Sequence, residues 1–267
     1  MKKGLKKFVA GVLSVVAIGA MTACGGSNEG LTSTYGVLTV ATSANFPPFG
    51  YLVEGGYSGA DIQLAGLLAQ ELGLELSLQN MVFTSVLMAT QLGQADIAVS
   101  AMTINDARRE NMNFSIPYLV SGQVIITRVG NYSLDGMDAD EIISHLYGAR
   151  MGAGAPSNTG AIFALNGIQA DVVNFQSTAL MVAAVSEGLE GIEYGIVDNS
   201  VAFTMISNHD NLKIINVPLT REYYGIGVEL GNYELLDKIN EALERILSDG
   251  RFEAILAGYG LQQDMGR

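Results

Sequence analysis

A cluster of polar residues behind a short apolar stretch has the types and spacing of an anion-binding site. Residues 96–100 (DIAVS) predict a short buried strand, and Ser100, Ala101, Thr103 and Arg108 follow its end. An arginine guanidinium is planar and permanently charged, and its fork of N–H donors fits a carboxylate. The hydroxyl of Thr103 and the turn amides supply further donors. We therefore expect an arginine of this segment, Arg108 or its neighbour Arg109, to bind a carboxylate; the alternative is an ion pair with a surface acid.

Residue types that point to catalysis or to a metal site are scarce. The sequence shows no Ser-His-Asp arrangement, no HExxH motif and no phosphate-binding loop. His145 and His209 are too few and too far apart for a recognisable metal site. We therefore expect no catalytic residue, no metal and no cofactor.

Alternating strands and helices must position the polar cluster. Apolar residues repeat with helical spacing over residues 61–72, Gly73 supplies a stop, and residues 74–78 alternate as a strand does. The alternation restarts after residue 130, and the clearest helix spans residues 232–248. This order predicts an α/β protein of two lobes, each a mostly parallel sheet flanked by helices.

The start of the chain predicts export. Four lysines among the first seven residues precede an uncharged apolar run over residues 8–20. This run is too short for a spanning helix, which needs about 20 apolar residues, so residues 1–23 are expected to be a signal peptide. The MTAC sequence that ends at Cys24 resembles a bacterial lipobox, in which Cys24 is lipidated and becomes the new N-terminus. The alternative is an incidental cysteine in a discarded peptide.

The region around Cys24 also bears on anchoring and stability. Because Cys24 is the only cysteine, no internal disulfide can form. Residues 24–35, which begin with a Gly-rich stretch, predict a flexible tether.

The net charge excludes several classes of partner. The chain carries −13, and removal of the four signal-peptide lysines takes this to about −17. Nucleic acid needs a basic face, and so does adsorption to an anionic lipid surface. We therefore expect no nucleic-acid partner, and contact with the membrane only through a lipid anchor.

The order of several short motifs along the chain indicates a resemblance to known proteins. They are residues 45–49 (NFPPF), 59–61 (GAD), 96–103 (DIAVSAMT), Arg108 and 114–118 (FSIPY). Together they resemble the polar amino acid-binding family of bacterial periplasmic-type solute-binding proteins (solute-binding family 3), the substrate-binding components of ABC importers. The resemblance covers about residues 36–260. It implies a monomer that binds a free amino acid and delivers it to ABC permease transmembrane subunits.

The resemblance also implies the domain organisation. It predicts a two-lobed periplasmic-binding-protein-like (type II) fold with two hinge crossings. Lobe I would comprise residues 36–121 and 227–267, and lobe II residues 122–226, with hinge strands at its ends. The extended segments at 121–128 and 223–228 fit the two crossings.

Ligand-binding roles follow from the same resemblance. Arg108 would bind the carboxylate of the amino acid, and Asp198, after a predicted strand, would accept from its ammonium group. An Asp in such a place is as often a helix N-cap. Phe46 and Phe83 fall on the stacking positions of the family; the alternative is that both are plain core residues.

Two positions depart from the family pattern. The second lobe of the family has a Gly-Thr turn, whereas residues 155–159 read APSNT, with Ser157 in the Thr place and Pro156 in the Gly place. Ala101 stands where Ser or Gly is common, so only its backbone N–H can help to bind the ligand.

The predicted ligand is a neutral polar amino acid such as glutamine or cystine. A buried cationic side chain without a partner costs several kcal/mol, so a basic ligand requires an acid in the pocket. The first-lobe positions that the resemblance assigns carry no acid: Ser43, Asn45, Phe46, Phe83, Ser100, Ala101 and Thr103. Ser43 matters most, because basic-amino-acid members commonly have an acid there. A basic ligand remains the alternative, because Glu187 and Glu190 are second-lobe acids that could reach the cleft.

Two other functions are compatible with this fold, because fold does not fix function. One is a cyclohexadienyl dehydratase-like enzyme, which needs a general acid with a raised pKa in the cleft. Asp198 is better explained as an ammonium partner. The other is a ligand-sensing domain, which calls for a transmembrane segment after the domain. We expect a binding protein that is exported and lipid-anchored on the outer face of the cytoplasmic membrane.

Overall fold

The computed structural model describes residues 30–154 and 168–261. Cys24 and Ser157 lie outside this range. The strands are β1 (Val37–Thr42), β2 (Asn45–Phe46), β3 (Gly50–Val53), β4 (Gly56–Ser58), β5 (Glu75–Asn80), β6 (Ile97–Ala98), β7 (Met112–Phe114), β8 (Leu119–Ser121), β9 (Gln123–Arg128), β10 (Arg150–Gly154), β11 (Asp171–Phe175), β12 (Tyr194–Asp198), β13 (Leu212–Ile215), β14 (Glu222–Tyr224) and β15 (Gly227–Glu229). The α-helices are α1 (Ala60–Leu72), α2 (Phe83–Gln91), α3 (Asp106–Arg109), α4 (Ala139–His145), α5 (Thr178–Glu187), α6 (Asn199–Ile206), α7 (Tyr233–Ser248) and α8 (Arg251–Gly258).

Two five-stranded sheets form the two lobes. Their strand orders are β5-β1-β6-β15-β7 and β11-β10-β12-β9-β13. Both sheets are mixed: four strands of each run in one direction, as predicted for a mostly parallel sheet, and one is reversed, which gives two parallel and two antiparallel pairs. The antiparallel pairs come from one reversed strand in each sheet, β15 in the first and β9 in the second. Each reversed strand enters from a hinge segment rather than through a helical crossover, which would make it parallel.

A short antiparallel ladder connects the two sheets. Strand β8 pairs with β14, with Ser121 opposite Glu222, and each strand leads almost directly into the reversed strand of one sheet. Gly122 follows β8, where a Cβ atom would lie 2.2 Å from the backbone oxygen of Thr220. The close approach of the two crossing segments therefore requires glycine at this position.

The predicted helices form where the apolar residues repeat. In α7 the buried residues Leu235, Ile239, Leu243 and Ile246 lie on one face and pack into the core, and Asn232 caps the helix by accepting from the Leu235 N–H at 3.2 Å. Helix α2 begins at Phe83, which places that ring at a helix start. Within the described part of the chain, no helix has the length and apolarity needed to cross a membrane.

A buried carboxylate supports the turn that follows β6. Asp61, in the first turn of α1, accepts hydrogen bonds from the Ala101 N–H at 2.5 Å and from the Tyr118 hydroxyl at 3.0 Å. Ala101 has a φ of 44°, which strains a residue with a side chain. Burial raises the pKa of Asp61 to about 7, although both hydrogen bonds oppose the rise. Asp61 therefore stabilises the turn but is costly to ionise.

We expect Asp61 to make stability depend on pH. Between its ordinary pKa of 3.8 and about 7, the folded state keeps a proton that the unfolded state has lost, so stability falls as the pH rises through this range. Relative to Asp61→Asn, the natural chain should lose on the order of 2 kcal/mol of unfolding free energy between about pH 5 and about pH 8. Urea denaturation at both pH values measures this difference.

The exposed helical residue Asp237 provides the control. Asp237→Asn makes the same chemical change on an exposed side chain and leaves Asp61 in place, so the loss of stability between the two pH values should persist. Parallel stability curves for the natural chain and Asp61→Asn would contradict the role assigned to Asp61.

Candidate functional site

A cleft opens between the sheets at the carboxyl ends of their parallel strands. Ser43 follows β1 and Ser100 follows β6, while Gly154 ends β10, Ser177 follows β11 and Asp198 ends β12. The cleft contains about 820 Å³ of empty space, including its open mouth. In open α/β sheets, this edge is where ligands bind.

Most of the site residues predicted from sequence meet in this cleft. Ser157 lies outside the described residues, so its predicted role stays a prediction. The described lining is Ser43, Asn45, Phe46, Phe83, Ser100, Ala101, Thr103, Arg108, Gln123, Gly154, Ser177, Thr178, Ile196, Val197, Asp198, Glu222 and Tyr224.

Arg108 is fixed by its own loop and by an aromatic ring. Its Nη1 donates to the Thr103 carbonyl oxygen at 2.6 Å, and its guanidinium lies 5.1 Å from the centre of the Phe83 ring. Burial lowers the pKa of Arg108 to about 10, and the negative charge of Glu222 opposes this decrease. Arg108 therefore remains a cation at neutral pH and faces the cleft.

The neighbouring arginine has a different environment. Arg109 is exposed and lies 6.0 Å from the centre of the Phe114 ring, outside the cleft lining. Within the described ranges, Arg108 forms no ion pair with a carboxylate. The two adjacent arginines therefore offer a matched comparison.

Asp198 provides the opposite charge from the second sheet. It caps α6, with its Oδ1 accepting from the N–H and hydroxyl of Ser200 at 3.0 and 2.6 Å. The hydroxyls of Ser121 and Tyr224 also donate to its carboxylate. Burial raises the pKa of Asp198, while these donors lower it. The two readings of Asp198 are thus compatible, because the residue caps a helix and also lines the cleft.

Two residues after β6 have internal roles. The Ser100 hydroxyl accepts from the Ser43 N–H at 3.1 Å, which joins the ends of two neighbouring strands. The Ala101 N–H donates to Asp61. The expectation that this amide binds the ligand is therefore corrected, because its only proton is already shared with a buried carboxylate.

Sequence reasoning missed the residues contributed by the crossing segments. Glu222 and Tyr224 are buried in β14 and line the cleft, as does Gln123 at the start of β9. Their spacing of two places Glu222 and Tyr224 on one face of the strand, a pattern visible in the sequence. Nothing in the sequence says that this face turns toward the cleft.

The two acids left open by the sequence lie elsewhere. Glu187 is exposed at the end of α5, and Glu190 is paired with the exposed Arg150 at 3.3 Å. Neither belongs to the described cleft lining. Besides Asp198, the acid of the described residues that lines the cleft is Glu222.

Comparison with known proteins identifies the family. The family described as bacterial extracellular solute-binding proteins, family 3, matches residues 38–262. The chain is 26% identical over 263 residues to a probable histidine-binding protein of Neisseria gonorrhoeae, covering 96% of each chain. It is 26% identical over 250 residues to the L-cystine-binding protein TcyJ of Escherichia coli K12, covering 92% of this chain and 91% of TcyJ.

A solved structure agrees with this match. An ancestral arginine-binding protein bound to glutamine is 32% identical, with a TM-score of 0.71, and the similarity covers 85% of this chain and 98% of that one. The match extends over nearly the whole described chain and includes both sheets and the cleft. The chain therefore belongs to the bacterial extracellular solute-binding proteins of family 3.

Proposed function

We propose that this protein is the exported component of an ABC importer that captures a free amino acid and delivers it to a membrane permease. One observation carries the proposal: Arg108 and Asp198, of opposite charge, line the same cleft from different sheets. An amino acid carries a carboxylate and an ammonium group on one carbon. A cation and an anion in one partly desolvated cleft complement that pair.

The remaining lining fits the rest of an amino acid. Phe46 and Phe83 are half-buried on the first-lobe side, where their rings can pack on the aliphatic part of a ligand. Two relatives are named for binding histidine and cystine, and these two ligands have in common an α-amino group and a carboxylate. The common ligand chemistry of the family thus coincides with the charged pair of the cleft.

We retain a neutral polar side chain for the ligand. The first-lobe positions assigned from sequence carry no acid, whereas Glu222 lines the cleft. Its oxygens, however, already accept hydrogen bonds from Thr103, Gln123 and Thr220. A carboxylate surrounded by neutral donors is stabilised without a ligand cation. Glutamine and cystine remain the favoured candidates.

We assign the lobes as the sequence divides them. Lobe I comprises residues 36–121 and 227–267, lobe II residues 122–226, and the β8–β14 ladder is the hinge. The paired crossings allow one lobe to rotate on the other while the ladder stays intact. Closure on a ligand would give the permease a surface that differs from the open form.

A ligand screen tests the proposed function. We expect one or more ligands from a set of the twenty amino acids and cystine to raise the melting temperature of the signal-free protein, with about 2.7 kcal/mol of stabilisation at roughly 100 times Kd. Calorimetry then gives the affinities, and incubation with prephenate or arogenate tests for turnover. Turnover without amino-acid binding would contradict the proposal. Arginine or lysine binding at least tenfold tighter than every neutral amino acid would contradict only the neutral side chain.

The two adjacent arginines test the carboxylate site. Arg108→Ala should weaken amino-acid binding by several kcal/mol, because it removes the main counter-charge of a desolvated carboxylate. Arg109→Ala should have a much smaller effect, since that side chain is exposed outside the cleft. Calorimetry with the ligand from the screen measures both. Equal losses, or a larger loss for Arg109→Ala, would show that the carboxylate binds elsewhere.

We also propose that Cys24 carries the lipid anchor. Each acyl CH₂ buried in the membrane contributes roughly 0.8 kcal/mol, so two or more chains retain the protein firmly. Residues 24–35 would then separate the anchor from the folded lobes.

Cell fractionation tests the anchor. Cys24→Ala should move the exported protein from the membrane fraction to the soluble fraction, because the variant has no site for the acyl chains. The natural chain is the control and should remain in the membrane fraction. Retention of the variant after its signal peptide has been removed would exclude lipidation at Cys24.

A further inference from the structure

Glu222 lies at the base of the cleft and accepts hydrogen bonds from three side chains. Thr103 Oγ1 donates to its Oε2 at 2.8 Å, and Gln123 Nε2 and Thr220 Oγ1 donate to its Oε1 at 2.9 and 3.0 Å. Because an ionised carboxylate can only accept, the Thr220 hydroxyl donates in the last of these bonds, while its oxygen accepts from the Gln123 N–H at 2.9 Å. All three donors therefore point toward one carboxylate that is 6% exposed.

This arrangement determines what the Thr103 hydroxyl offers a ligand. A hydroxyl has one proton and two lone pairs, and the proton of Thr103 is directed to Glu222. The backbone around Thr103 is also fixed against β14, since the Ile104 N–H donates to the Tyr223 oxygen at 2.8 Å. The Thr103 oxygen can therefore only accept a hydrogen bond from the cleft.

We propose that Glu222 is a positioning residue for the ammonium site: it orients the Thr103 hydroxyl so that its oxygen, together with Asp198, accepts from the ligand's ammonium group. The inference rests on the proposed function, because it requires an amino acid in the cleft. It reverses the expectation from sequence, in which the Thr103 hydroxyl donates to the ligand carboxylate. Arg108 then remains the principal partner of that carboxylate.

Substitution of Glu222 by glutamine should reverse the direction of the hydrogen bond between the Thr103 hydroxyl and residue 222. Two donors meet at the Oε1 position, so the amide oxygen of Glu222→Gln should remain there. Its NH₂ group then occupies the Oε2 position and donates to Thr103 Oγ1. The Thr103 proton is released toward the cleft, where it faces the N–H donors of the ammonium.

A pair of ligands distinguishes this effect from general damage to the cleft. One is an amino acid that binds the natural chain, and the other is its α-hydroxy acid, which has the same carboxylate and side chain. Glu222→Gln should lower the affinity for the amino acid by roughly tenfold or more, which is the contribution of a hydrogen bond to a charged group. The affinity for the hydroxy acid should change by less than about threefold, because the hydroxyl of this ligand can either accept or donate a hydrogen bond.

The two variants Thr103→Val and Glu187→Gln provide controls. Glu187→Gln makes the same chemical change on the exposed end of α5 and should alter neither affinity. Thr103→Val alone should weaken the amino acid more than the hydroxy acid, which tests the acceptor role even if Glu222→Gln fails to fold. In a Thr103→Val background, Glu222→Gln should lower the affinity for the amino acid by less than about a further threefold, since the hydroxyl through which Glu222 acts is absent.

The outcomes separate the inference from the function on which it rests. If the natural chain binds no amino acid, the proposed function fails and the inference fails with it. If it binds but Glu222→Gln weakens both ligands equally, or neither, only the inference is overturned. An equal loss of amino-acid affinity with and without the Thr103 hydroxyl would assign the effect to the charge of Glu222 and would also overturn it.

Discussion

The pairing of the two crossing segments is the constraint on which the rest of the structure depends. Strands β8 and β14 form a ladder between the sheets, which brings Glu222 and Tyr224 to the cleft and Ser121 beside Asp198. Ser121 and Tyr224 donate to Asp198, while Glu222 accepts from Thr103. The same ladder that joins the lobes therefore also orders the polar groups between them. The reversed strands β9 and β15 follow from it, because each continues a crossing into a sheet.

Desolvation explains how the acids of this protein are arranged. Asp61, Asp198 and Glu222 are all buried, and each accepts at least two hydrogen bonds from neutral donors. Donors of this kind favour the charged carboxylate, whereas burial opposes it. For Asp61 burial prevails and raises the pKa to about 7. For Arg108, burial and the nearby Glu222 act in opposite directions, and the guanidinium stays charged.

Much of the fold was predictable because it depends on local patterns. The apolar repeat of α7 and the Gly73 stop of α1 both occur where the sequence places them. The reversed strand in each mostly parallel sheet was not predicted, since its direction depends on how the chain returns between lobes rather than on the residues of the strand.

The sequence by itself determined the types of groups available to the site: one arginine after a strand, one aspartate after another, and aromatic rings near both. Their order along the chain also indicated the family, which the match over residues 38–262 supports. The tertiary structure decided the direction of each hydrogen bond. Only the folded chain brings Asp61 to the Ala101 N–H and Glu222 to the Thr103 hydroxyl, residues separated by 40 and 119 positions. A single proton cannot be donated twice with full strength, so these distant contacts determine which groups remain for a ligand.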